Sequence, residues 1–146
     1  MLVRANKLHV LFLCTGNACR SQMAEGWARH LAGDRLEASS AGIEAHGKNP
    51  LAISVMHEAG IDISKQGSTQ LTEEMLHGVD MVVTVCGHAH ERCPVLPADI
   101  KKEHWPIIDP ARATGSGQEI RQVFCDVRDD IGHRVEDLIK RVTRET

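Results

Sequence analysis

Apolar residues run almost without interruption from Leu8 to Leu13, the pattern of a strand covered on both faces. Met23, Ala24, Trp27, Ala28 and Leu31 then recur at helical spacing, with Gly33 as a natural stop. Leu36 to Ala41 predicts a second strand that ends at Gly42. Asn49 and Pro50 are the cap and first position of a helix running to Gly60. Thr72 is placed to cap a short helix through Leu76, and Asp80 to Val85 predicts a third, buried strand. His104 to Ile108 predicts a fourth strand, and Pro106 within it points to a sheet edge or a strand end. Ser116 and Glu119 then form a capping box ahead of a long apolar stripe from Ile120 through Phe124, Ile131 and Leu138 to Val142.

Strands separated by helices imply an α/β fold with right-handed crossovers. The expected architecture is a single-domain three-layer sandwich over residues 1–146, a four-stranded parallel sheet with helices on both faces. Ligands of such folds lie beyond the carboxyl ends of the strands, which directs attention to the turn after Leu13.

Composition narrows the function classes. A chain of 146 residues, 42% hydrophobic and 25% charged, has the make-up of a soluble globular domain. No apolar run reaches membrane-spanning length, and Leu8 to Leu13 lacks a cleavage site behind it, so a cytoplasmic protein is expected. A net charge of -3 argues against a nucleic-acid binder. Any bound anion must therefore be held by a local arrangement. Five cysteines, at positions 14, 19, 86, 93 and 125, suit catalysis or metal binding better than a disulfide scaffold in a reducing compartment.

The turn reads Cys14-Thr15-Gly16-Asn17-Ala18-Cys19-Arg20-Ser21. Successive backbone N–H groups between a strand and a helix can converge on a tetrahedral oxyanion, and the helix start adds its positive end. Gly16 and Asn17 are residue types that accept left-handed backbone angles. Arg20 offers a planar, permanently charged fork for two anion oxygens. The same field favours a thiolate at Cys14, to which Ser21 can donate a hydrogen bond. Nucleophile and anion clamp come from one loop, which resembles the signature of the low-molecular-weight protein tyrosine phosphatase superfamily.

Two further cysteines, Cys86 and Cys93, follow the third predicted strand. In a parallel sheet Val85 ends on the same side as Leu13, so Cys86 is expected near the oxyanion loop. With the loop and the helix after it through Trp27, the segments Ser40-Ala41-Gly42-Ile43-Glu44, Val82 to Cys86, Cys93-Pro94, Lys101 to Trp105 and Asp109-Pro110 make the chain similar to the thioredoxin-coupled arsenate reductases over nearly its whole length. The resemblance implies that Cys14 attacks arsenate, that Cys86 attacks the Cys14–arsenic adduct, and that Cys93 resolves the Cys14–Cys86 disulfide. The resulting Cys86–Cys93 disulfide would lie in a flexible stretch from Gly87 to Arg92, within reach of thioredoxin. It also implies that Thr15 to Ser21 hold the anion, with phosphate and sulfate as competitors, and that Asp109 is the general acid. Neither cofactor nor metal is expected, and a monomer is the expected state.

The same residues admit other readings. Cys86, His88, His90 and Cys93 could suggest zinc, but six residues separate the two cysteines, and the histidines read as exposed loop residues. Some members of the resembled family hold potassium near the loop. Asn17, Glu25 and Ser40 match positions used there, whereas Gly67 and Thr69 stand where a threonine and an aspartate are expected, so no potassium site is predicted. Cys19 reads equally as an apolar filler or as a partner that shields Cys14 under oxidation, and Cys125 reads as packing. The alternative activity is hydrolysis of phosphotyrosine or small phosphate monoesters. The absence of tyrosine and the presence of Ala111 after Asp109-Pro110, where phosphatases commonly place an aromatic, count against it. A disulfide-exchanging redox sensor would need Cys86 and Cys93 but have no use for Arg20.

Overall fold

A computed structural model describes residues 7–143; the predicted domain also takes in 1–6 and 144–146, which lie outside the described residues. Four strands, β1 (Leu8–Cys14), β2 (Leu36–Gly42), β3 (Met81–Thr84) and β4 (Lys101–His104), form one parallel sheet in the order β2-β1-β3-β4. Central β1 is buried on both faces, with Val10, Leu11, Phe12 and Leu13 all at 0% exposure. That is why its sequence is continuously apolar instead of alternating.

Helix α1 (Arg20–Ala32) packs on β1 and β2 and against the long α4 (Gly117–Thr143), while α3 (Gly87–Arg92) packs on β1 and β3. The connection through α1 and the connection through α3 run in opposite directions across the sheet, so right-handed crossovers put these helices on opposite faces. Helix α2 (Pro50–Glu58) is capped as the sequence requires, the Asn49 side chain accepting from Leu51 N and Ala52 N. The capping box ahead of α4 is reciprocal: Ser116 N donates to Glu119 Oε1 and Glu119 N donates to Ser116 Oγ. Thr72 caps a 3-10 turn over Glu73–Leu76. Among the described residues, no helix is long and apolar enough to cross a membrane.

Two expectations need correction. The fourth strand is Lys101–His104, ahead of the predicted His104 to Ile108. The apolar residues Trp105 and Ile107 suggested the later segment; they are buried just past the ladder, where Trp105 N still donates to Thr84 O. The strand itself is charged because it lies at a sheet edge, where charge discourages further pairing. The second correction concerns Gly87 to Arg92, which is a short helix and not a flexible stretch. Its N-cap is Cys86, whose sulfur accepts from Ala89 N at 3.3 Å, and buried Ala89 anchors it to the sheet.

Between α3 and β4 the rings of His90 and His104 stack with centroids 4.3 Å apart. Burial, with the charge of His90 beside it, holds the His104 imidazole below its ordinary pKa, while Nδ1 faces Thr84 Oγ1 at 2.8 Å. The unfolded chain therefore takes up this proton first as the pH falls. Stability is full above the unfolded value, about 6.5, and is lost as the pH drops from there through the lowered folded value. Thermal denaturation between pH 8 and 5 is expected to show a steeper acid decline in the wild type than in His104→Gln.

Candidate active site

The parallel register fixes what meets what. Leu13 pairs with Thr84, and Val85 N donates to Leu13 O at 2.9 Å, so the chain leaving β1 and the chain leaving β3 emerge side by side. Cys14 ends β1 and Cys86 lies two residues beyond the end of β3. Both line one open cavity of about 810 Å³, with Thr15, Gly16, Ala18, Cys19, Arg20 and Asp109.

The loop is built around the Cys14 sulfur. Asn17 N donates to Cys14 Sγ at 3.2 Å, and Ser21 Oγ lies 2.8 Å from it. Asn17 has φ 52, the left-handed turn its residue type tolerates. Gly16 does not share that conformation, contrary to expectation; it is needed for space, since a Cβ there would come within 2.3 Å of His46 Nδ1. Gly42 serves the same end, because its Cβ would lie 2.1 Å from Glu44 O and 2.7 Å from Asn17 N.

Behind the loop a buried hydrogen-bond chain sets proton directions. The Glu25 carboxylate can only accept, so Ser40 Oγ donates to it at 2.5 Å. Ser40 and Ser21 each accept from Asn17 Nδ2, at 3.0 and 2.8 Å. The proton of Ser21 is thereby left to point at the Cys14 sulfur. Arg29 closes the outer end of the chain, 2.6 Å from Glu25 Oε2. Asn17 and Ser21 are fully buried, so their side chains support the loop from behind while Thr15, Gly16, Ala18, Cys19 and Arg20 face the cavity.

Arg20 is held in place by the segment that follows β4. Its Nη1 donates to Ile107 O at 2.9 Å and its Nη2 lies 3.7 Å from Asp109 Oδ2. Its Nε is buried and has no hydrogen-bond partner among the described residues. An orphaned donor of this kind costs about 1–3 kcal/mol or more for a charged group, and an anion in the cavity would satisfy it. Asp109 caps a 3-10 turn over Pro110–Arg112, its Oδ1 accepting from Ala111 N at 3.0 Å.

The remaining thiols differ in setting. Burial pushes Cys19 up to about 12, with Asp109 and Cys14 adding to the effect and Arg20 opposing it, so it is a thiol at neutral pH. Cys93 is the C-cap of α3, half-buried, and burial raises it as well. Cys125 packs at the edge of the core, 3.7 Å from Glu58 Oε1. Among the described residues, no three His, Cys, Asp or Glu side chains are grouped to hold a metal ion. Sequence reasoning missed His88, whose Nδ1 lies 3.2 Å from Thr15 Oγ1. Two histidines in a polar stretch carry no local signal of such a contact.

Comparison with known proteins supplies a further finding. The family model described as low molecular weight phosphotyrosine protein phosphatase matches residues 9–146. An arsenate reductase of Bacillus licheniformis is 52% identical over 130 residues, covering 89% of this chain and 94% of its own length. Among solved structures, a thioredoxin-dependent arsenate reductase of Corynebacterium glutamicum superposes with a TM-score of 0.78 at 27% identity, over 99% of this chain and 66% of that one. An arsenate reductase in the phosphate binding state gives a TM-score of 0.76 at 36% identity, over 92% of this chain and 98% of its own.

Proposed function

This chain belongs to the low molecular weight phosphotyrosine protein phosphatase family, on its arsenate reductase branch, and from that premise we propose that it reduces arsenate to arsenite through Cys14, Cys86 and Cys93, with thioredoxin as the final reductant. The observation that carries this reading is the opening of Cys86 onto the cavity of Cys14 and Arg20. Hydrolysis has no use for a second thiol there.

The chemistry balances with two electrons. The Cys14 thiolate forms a bond to As(V), and one arsenate oxygen leaves as water with a proton supplied from Asp109. Arg20 and the loop N–H groups carry the charge on the remaining oxygens. The Cys86 thiolate then attacks Cys14 Sγ. An S–S bond forms, the S–As bond breaks, its electron pair stays on arsenic, and arsenite departs. Cys93 next attacks Cys86 Sγ, which releases Cys14 as a thiolate and leaves a Cys86–Cys93 disulfide for thioredoxin.

The last exchange demands movement. Cys86 and Cys93 cap opposite ends of α3. Seven helical steps separate their Cα atoms by roughly 10 Å, whereas a disulfide needs about 4.4–6.8 Å. Helix α3 must therefore unwind when Cys93 attacks. The helix is built for it: it has six residues, starts at Gly87, and buries only Ala89.

The test is arsenate-dependent NADPH oxidation in the presence of thioredoxin and thioredoxin reductase. Steady oxidation that needs both arsenate and Cys86 is expected. Cys14, Arg20 and Asp109 suffice for slow hydrolysis of a small phosphate monoester, which is expected to survive Cys86→Ser. If NADPH oxidation were equal with and without arsenate, the reductase assignment would be wrong.

A further inference from the structure

We infer that His88 is the proton acceptor for the Cys86 thiol, acting through the Thr15 hydroxyl. The inference rests on the proposed relay, in which Cys86 delivers the second pair of bonding electrons.

Thr15 Oγ1 stands between the two groups, 3.2 Å from Cys86 Sγ and 3.2 Å from His88 Nδ1. Cys86 is 4% exposed, so its thiol has little direct contact with bulk water to which it could lose a proton. His88 is exposed and exchanges protons with solvent freely. With Cys86 protonated, its S–H donates to Thr15 Oγ1 and the Thr15 O–H donates to His88 Nδ1. Transfer of one proton along each bond leaves a thiolate, an intact hydroxyl and an imidazolium. Both hydrogen bonds persist with their direction reversed: His88 Nδ1–H now donates to Thr15, and Thr15 donates to the thiolate. Ala89 N, already aimed at the sulfur at 3.3 Å, donates to the same charge. No atom is lost, and the proton leaves through the ring.

The charges around His88 come from several elements. Glu44, in the loop after β2, is kept below the ordinary carboxylate range chiefly by its hydrogen bond with His46, with the charges of His88 and Arg92 contributing. His46, Arg20, Asp109 and Arg112 line the same cavity. Because His88 lies on α3 itself, unwinding of the helix withdraws the acceptor. By then Cys86 is the sulfur under attack and needs no base.

Thus His88 is a positioning and proton-accepting residue that touches neither arsenic nor sulfur. Its role is read from the rates at which iodoacetamide labels Cys86 and Cys14 in the reduced protein, followed by peptide mass spectrometry from pH 5 to 9. In the wild type, Cys86 is expected to be labelled readily at pH 6. In His88→Gln, Cys86 labelling at pH 6 is expected to be slower by roughly tenfold, since the rate follows the fraction of thiolate formed. Cys14 labelling should be unchanged, which separates this effect from misfolding. Thr15→Ser should keep the wild-type profile and Thr15→Val should copy His88→Gln. A wild-type rate of Cys86 labelling at pH 6 in His88→Gln, or in Thr15→Val, overturns the inference. No arsenate enters this assay, so its outcome is independent of whether the protein reduces arsenate.

Discussion

Cys93→Ser is expected to release one arsenite per chain and then stop. In the proposed relay the first two steps need only Cys14 and Cys86, which line the same cavity as Arg20. What the variant lacks is the sulfur at the far end of α3 that would draw the disulfide outward. Without it, thioredoxin would have to attack a Cys14–Cys86 bond inside the cavity, at two sulfurs that are 3% and 4% exposed in the reduced protein. Steady-state turnover should fall on the order of a hundredfold, since exchange depends on access to the attacked sulfur. A rapid-quench time course counts the arsenite released in the burst. Continued turnover at the wild-type rate would show that thioredoxin reaches the inner bond directly and that α3 need not unwind.

The second large effect is expected at Arg20. Removing one preorganised donor to a developing anion typically costs about 10²–10³ in rate, and Arg20 contributes a fork that Lys cannot copy. Arg20→Lys should lose activity on that scale, and Arg20→Ala should lose more. Stability should respond differently. Truncation leaves Ile107 O without its partner but also removes the buried Nε that has none. These changes oppose one another, so the melting temperature should move little. Phosphate is the informative probe, because a ligand bound only to the folded state stabilises it by RT ln(1 + [L]/Kd). At ten times its Kd it should contribute about 1.4 kcal/mol in the wild type. Arg20→Ala should show no such phosphate-dependent rise in differential scanning calorimetry. An equal rise in both proteins would place the anion elsewhere.

The parts of this molecule that were readable from sequence share a physical property: their signal is local. Leu8 to Leu13 is continuously apolar because β1 is covered on both faces, and the loop after it carries Asn17 and Arg20, whose backbone freedom or charge has few other uses. The caps at Asn49, Thr72 and Ser116 lie beside the donors they satisfy. What was missed depends on neighbours distant in the chain. Helix α3 carries no helical signal of its own, because Gly87, His88 and His90 are poor helix formers and its hold comes from Ala89 seated on the sheet. Strand β4 was displaced toward Trp105 because burial of that ring, not strand pairing, dictates the apolar residue. The glycine at position 16 suggests a left-handed turn, but its close neighbour is the imidazole of His46, thirty residues away in the chain. The Glu25–Ser40–Asn17–Ser21 chain likewise joins α1, β2 and the loop. Single residues in a sequence give no hint that their hydrogen bonds connect.

The order in which disulfides appear tests the account most directly. Fully reduced wild-type protein mixed with one equivalent of arsenate, quenched at intervals with acid and alkylated, yields peptides whose cross-links can be mapped. The expected first species joins Cys14 to Cys86 and appears together with arsenite, followed by a species joining Cys86 to Cys93 as the first declines. A cross-link between Cys14 and Cys19 as the first product, or arsenite formed while Cys86 is still fully alkylatable, would contradict the convergence of Cys14 and Cys86 on one reacting anion.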